Sequence, residues 1–131
     1  MTRHDASCSC GQLRLVARGE PIRVSMCHCL ACQRRTGSTY GAQARWRMED
    51  VTITGAATQW LRIGDEGGRA HFHFCATCGA TVWYRLEEDP QVIAVPVGVF
   101  ADPGFPAPTR SVYETRRHAW VSVPEEAEHR D

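Results

Sequence analysis

Apolar and polar positions alternate along most of this chain, and no long segment keeps a helical period. Alternation is what a strand with one buried face produces. Gln12 to Ala17 alternates and ends at Gly19-Glu20-Pro21. Ile22 to Met26 reads as a second short strand. Thr39 to Arg47 places Tyr40, Ala42, Ala44 and Trp46 on one parity. Val51-Thr52-Ile53-Thr54 is β-branched and stops at Gly55. Gln59 to Ile63, Ala70 to Cys75 and Thr81 to Leu86 follow, separated by Gly64-Asp65-Glu66-Gly67-Gly68 and by the cysteine-containing turn at 75–79. Val92 to Phe100 predicts a strand broken at Pro96 and Gly98, and the three prolines between Asp102 and Pro108 predict a loop. Ser111-Val112-Tyr113 and Trp120-Val121-Ser122-Val123 are candidate terminal strands. A single helical turn can start near Leu30 but cannot run far before Gly37. The pattern therefore predicts about eight short strands, little helix and a mainly β fold.

Length and composition narrow this reading. The 131 residues suit one domain with a modest core, taken as residues 1–131, with a charged tail at 124–131 expected to fray. Hydrophobic residues make up 43% and charged residues 23%, which excludes a disordered chain. The formal net charge is zero, which argues against a nucleic-acid partner. All fifteen basic residues are arginine, a bias that reads as codon usage. No apolar run approaches the ~20 residues of a membrane span. The polar start, Met1-Thr2-Arg3-His4-Asp5, lacks the apolar stretch of a secretory signal, so a cytoplasmic location is expected.

The chemistry lies in the cysteines. There are seven, all in three clusters: Cys8-Ser9-Cys10, Cys27-His28-Cys29-Leu30-Ala31-Cys32 and Cys75-Ala76-Thr77-Cys78. An odd number cannot be consumed by disulfides, and a reducing compartment disfavours them. Pairs one or two residues apart are what a tetrahedral thiolate site needs, because a short turn aims both sulfurs at one ion. Zinc suits thiolates and needs no redox partner; iron in a rubredoxin-like site is the other candidate.

Seven thiolates divide most naturally as four plus three. Cys8, Cys10, Cys75 and Cys78 would fill one tetrahedron, which reads as structural. Cys27, Cys29 and Cys32 would leave a fourth position for water, substrate or a histidine. The competing division is a zinc ribbon of Cys29, Cys32, Cys75 and Cys78. Three thiolates around Zn²⁺ make a weak Lewis acid, better suited to holding a soft sulfur ligand than to making hydroxide. Arg34 and Arg35 either offset that negative charge, bind a substrate carboxylate, or form a solvated turn. His28, between two ligands, is expected to point away from the metal. His71 and His73 share a strand face as ligands, acid/base groups or polar surface, and His118 reads as a surface residue. Trp46, Trp60, Trp83 and Trp120 read as core and edge packing.

The order Cys8-Ser9-Cys10-Gly11, Cys27-His28-Cys29-Leu30-Ala31-Cys32, Thr36-Gly37-Ser38, Phe74-Cys75-Ala76-Thr77-Cys78-Gly79 and Trp120 resembles the glutathione-dependent formaldehyde-activating enzyme family, whose domain is shared with centromere protein V. The resemblance implies a β-tent of short antiparallel strands clipped by two zinc ions. It places a structural zinc on Cys8, Cys10, Cys75 and Cys78, and a catalytic-type zinc on Cys27, Cys29 and Cys32. It implies a carbon–sulfur lyase that joins a small thiol such as glutathione to formaldehyde, giving S-hydroxymethylglutathione. Ser111 stands where the family often carries a histidine. The chain is shorter than the characterised enzymes, and no glutathione pocket can be mapped from sequence. The rival expectation is a non-catalytic module with two structural zincs.

Overall fold

A computed structural model describes residues 2–131. Strands take 42% of the chain and helices 13%, so the mainly β architecture is the expected one. Two sheets form. The smaller joins β1 (Arg3–Ser7), β2 (Arg14–Arg18) and β5 (Val51–Thr54) in the order β1-β2-β5. The larger contains β3 (Arg23–Cys27), β4 (Gly41–Arg47), β6 (Thr58–Ile63), β7 (Arg69–Phe74), β8 (Thr81–Leu86), β9 (Val92–Pro96), β10 (Arg110–Val112) and β11 (Glu128–His129). Its order is β11-β10-β3-β4-β9-β8-β7-β6. No helix among the described residues is long and apolar enough to cross a membrane.

The pleat of the large sheet explains the rest of the molecule. Successive side chains point to opposite faces. Val24, Ala44, Trp46, Ile93 and Val95 point one way and share a buried core with Leu15 and Ala17 of the small sheet and Leu13 just before it. The other parity carries Arg23, Ser25 and Cys27 on β3 and Gln43 and Arg45 on β4, beside Ala70, Phe72, Tyr84 and Ala94. That second face is concave and lines a cavity.

The structure departs from the sequence reading at its margins. β1 was not expected, because Arg-His-Asp-Ala-Ser has no apolar alternation. It forms by pairing antiparallel with β2, Arg3 opposite Arg18 through Ser7 opposite Arg14. His4 then packs among Trp46, Phe100 and Phe105 at 5.3–6.0 Å between ring centroids. The 124–131 tail does not fray. Glu128 and His129 pair parallel with β10, Ala127 is buried, and Arg130 N donates to Ser111 O at 2.8 Å. β10 in turn pairs parallel with β3, so this end of an otherwise antiparallel sheet is parallel. Trp120 to Val123 forms no strand, and Trp120 is 74% exposed rather than packed. Trp60 is also largely exposed, on the edge strand β6. The strand expected to break at Pro96 does end there, and the apolar run continues as a 3₁₀ turn, Val97–Phe100.

One turn is sterically locked. Gly55 sits at φ +100°, and a Cβ there would lie 1.9 Å from the Gln12 carbonyl oxygen and 2.9 Å from Leu13 Cα. Both obstacles are backbone and cannot swing aside. Gly55→Ala is therefore expected to cost more than about 3 kcal/mol and lower the melting temperature by about 10 °C or more. Thermal denaturation followed by circular dichroism checks it; a shift of a degree or two would refute the lock.

Candidate metal centres

The cysteine clusters come together in two groups, and no third. Cys8, Cys10, Cys75 and Cys78 bring their sulfurs within 4.8 Å of one another, and so do Cys27, Cys29 and Cys32. The zinc-ribbon division is excluded by this placement, because Cys29 and Cys32 do not approach Cys75 and Cys78.

The four-cysteine group joins two turns of the same design. Cys8 N donates to Leu13 O and Gly11 N to Cys8 O; Cys75 N donates to Ala80 O and Gly79 N to Cys75 O. Each turn is closed by a glycine at positive φ, Gly11 at 85° and Gly79 at 80°. The first turn follows β1 of the small sheet and the second joins β7 to β8 of the large one, so the group clips sheet to sheet. Sulfur separations are 3.7 Å for Cys8–Cys10 and 3.6 Å for Cys10–Cys75. A tetrahedron with metal–sulfur bonds of about 2.3 Å has edges of about 3.8 Å, whereas a disulfide would need about 2.05 Å. The residues thus fit a thiolate-bound ion.

Gln12 supports this group and was not singled out in the sequence. Its Nε2 donates to Cys75 Sγ at 3.1 Å and to Ala56 O at 2.7 Å, while Ala56 N donates to its Oε1 at 3.0 Å. The hydrogen bond from Gln12 holds the Cys75 thiol down to about 6. Only its place one residue beyond Cys-x-Cys-Gly hinted at this.

The three-cysteine group is built where β3 ends. Cys27 is its last residue, and Cys29 caps α1 (Leu30–Thr36), its Sγ accepting from Cys32 N at 3.3 Å. Gly37 closes α1 at φ 69°, the stop the sequence predicted. Hydrogen bonds from Cys27 and Cys32 hold the Cys29 thiol down to about 2, and the bond with Cys29 chiefly pushes Cys27 up. Among the described residues no fourth Cys, His, Asp or Glu joins the three.

His28 is fully buried and turns away from the sulfurs, as expected. Its Nε2 lies 2.9 Å from Ser111 Oγ, and burial pulls the imidazole down so that it stays neutral. Ser111 therefore serves His28. His71 contacts Gln59 and Glu87, His73 stacks on Trp83 at 3.5 Å, and His118 lies 3.0 Å from Gln33; none joins a cysteine group.

The three sulfurs open on a cavity of about 740 Å³ on the concave face. Leu30, Trp60, Phe72, Leu86 and Val112 form apolar parts of its wall. Arg35 lies over the Phe72 and Tyr84 rings, 5.4 Å from each centroid. Burial pushes the Tyr84 phenol up to about 12, so it remains a hydrogen-bond donor at neutral pH. Arg34 also lines the cavity, so this arginine pair borders the site and is no isolated turn.

Gly41 makes the close packing possible. It sits opposite Cys27 in the β3–β4 register. A Cβ there would lie 3.2 Å from Arg35 Nη2, 3.3 Å from Cys32 Cβ and 3.3 Å from Gln43 Oε1. Arg35 and Gln43 can swing, whereas Cys32 is fixed if it holds an ion. Gly41→Val is expected to lower metal retention at the three-cysteine group about tenfold or more while sparing the other group. Metal analysis after dialysis against a mild chelator checks this; equal loss from both groups would count against it.

A family model described as glutathione-dependent formaldehyde-activating enzyme matches residues 3–116. A crystal structure of a Rhodobacter sphaeroides protein, 24% identical, superposes with a TM-score of 0.58 over 76% of this chain and 88% of that one, a likeness of fold alone. Among curated proteins, none gives a significant match.

Proposed function

The chain belongs to the glutathione-dependent formaldehyde-activating enzyme family, and on that premise we propose that it makes or breaks a carbon–sulfur bond between a small thiol and a small carbonyl compound. The observation that carries this reading is the three-thiol group, Cys27, Cys29 and Cys32, facing a cavity with no fourth protein ligand. We assign it a catalytic-type zinc, and Cys8, Cys10, Cys75 and Cys78 a structural one. Zinc on three thiolates supplies a position for a sulfur ligand and favours the thiolate form of a bound thiol. Cys27, Cys29 and Cys32 would hold that ion, with α1 capped by one of the ligands so that helix and site share a geometry. The cavity walls seat the thiol and keep the reacting carbon from bulk water. Tyr84, protonated at neutral pH, is placed to donate to an oxygen in the cavity.

The net reaction balances without an oxidant. A sulfur–carbon bond forms, the carbonyl π bond opens, and the thiol proton ends on the carbonyl oxygen; the lyase direction is the reverse. Glutathione with formaldehyde is the pair that the family name suggests.

Exchange spectroscopy by NMR on glutathione and formaldehyde tests this. The protein is expected to speed interconversion with the hydroxymethyl adduct above the spontaneous rate, and Tyr84→Phe to slow it. No acceleration with any small thiol and aldehyde would leave the non-catalytic two-zinc module as the better account.

A further inference from the structure

The cavity beside Cys27, Cys29 and Cys32 has one chemical feature that the reaction does not use. Arg23, Arg34, Arg35, Arg45, Arg62 and Arg110 line it, and no aspartate or glutamate does. A chain with zero net charge has concentrated six cations around one cavity.

Strand register fixes where three of them stand. Arg23 on β3 pairs directly with Arg45 on β4, and Arg110 on β10 pairs with Ser25 on β3. Like charges directly opposite across a ladder repel. The same rows continue to the sulfurs: Ser25 is opposite Gln43, and Cys27 is opposite Gly41. Two residues of strand rise span about 7 Å, so the Ser25–Arg110 row lies about 7 Å from Cys27 and the Arg23–Arg45 row about 13 Å.

These arginines lack full partners. Arg45 Nε and Arg110 Nε are buried without a hydrogen bond. Arg110 Nε keeps only a 3.6 Å approach to Glu128, which Arg130 also engages at 2.6 Å. Arg23 Nε donates to the neutral Ser25 Oγ at 3.2 Å. Burial, then the fields of Arg45 and Arg110, lower the affinity of Arg23 for its proton. Buried cationic donors without acceptors are costly, and guanidinium forks match carboxylates.

We propose that this arginine shelf takes the carboxylates of the substrate thiol, and that the substrate class is small thiols bearing two carboxylates. The word thiol rests on the reaction assigned above; the anion shelf does not. Two rows one pleat apart suit two separated carboxylates better than a single phosphate. The acidic groups Asp65, Glu66 and Glu88 line an adjoining groove that shares Cys29, Leu30, Ala31, Arg62 and Leu86 with this cavity.

The test is calorimetric titration of the metal-loaded protein with a matched set: 2-mercaptoethanol, cysteine, 3-mercaptopropionate and mercaptosuccinate, plus sulfur-free succinate and inorganic phosphate. Each carboxylate is expected to tighten binding about tenfold, so mercaptosuccinate leads, the monocarboxylates 3-mercaptopropionate and cysteine follow, and 2-mercaptoethanol comes last. Succinate is expected to bind more tightly than phosphate. Arg45→Gln and Arg23→Gln should each weaken succinate about tenfold, with Arg3→Gln as a distant control. Using both variants covers the chance that one fails to fold. 2-Mercaptoethanol matching mercaptosuccinate, phosphate outcompeting succinate, or succinate indifferent to both variants would overturn the proposal. Succinate binding with no response to 2-mercaptoethanol would instead support the shelf and remove the thiol reaction.

Discussion

Cys75→Ser lowers the melting temperature by about 10 °C or more and releases one equivalent of metal. Cys75 is fully buried where the two sheets meet, accepts from Gln12, and faces Cys10 at 3.6 Å. The two turns it joins are 65 residues apart, so an ion here closes a long loop. Serine keeps the volume but is a poor zinc ligand, and its hydroxyl replaces a thiolate whose Gln12 bond is charge-assisted. Cys10 is exposed, so Cys10→Ser should cost less. Thermal scans with parallel metal analysis decide this. A Cys75→Ser protein that melts like the parent, or a larger loss at Cys10, would contradict the clip.

The second large effect is on turnover. Cys29→Ser is expected to reduce adduct formation about 100-fold or more while leaving the melting temperature nearly unchanged. The variant is clean because of what Cys29 does locally. Its sulfur caps α1 by accepting from Cys32 N, and serine is a better N-cap than most residues. Helix and backbone therefore survive while the soft ligand is lost. One metal per chain should remain, on Cys8, Cys10, Cys75 and Cys78. Steady-state exchange rates, circular dichroism and metal content together check it. Full turnover in a folded Cys29→Ser protein would remove the three-cysteine group from the reaction.

What the sequence disclosed follows from the range of the interactions. The cysteine clusters were legible because each is local: Cys8 with Cys10, or Cys75 with Cys78, is set by one short turn and its glycine. The four-plus-three division came from counting and from family resemblance, and the geometry agrees. Buried strand faces were legible wherever apolar residues alternate, as at Ala44 and Trp46. The opposite parity of those strands was not. Gln43 and Arg45 look like a solvated face in the sequence, and only register against β3 and β10 brings Arg45 to Arg23 and near Arg110. Zero net charge concealed that gathering. β1 and β11 were missed for a related reason: they exist through pairing with a neighbour, and their own residues carry little apolar pattern. Gln12 acts through a 3.1 Å contact with Cys75, and Gly41 and Gly55 through the lack of a Cβ where other segments come close, which no spacing rule exposes.

The central claim is that Cys27, Cys29 and Cys32 form an open metal site and Cys8, Cys10, Cys75 and Cys78 a closed one. The most direct measurement is the visible absorption of protein loaded with two cobalt ions per chain, titrated with mercaptosuccinate. The account predicts that about half of the cobalt signal shifts as a fourth sulfur binds, that the other half stays fixed, and that Cys29→Ser removes the responsive half. A spectrum that ignores the thiol, or one in which both halves move together, would contradict it.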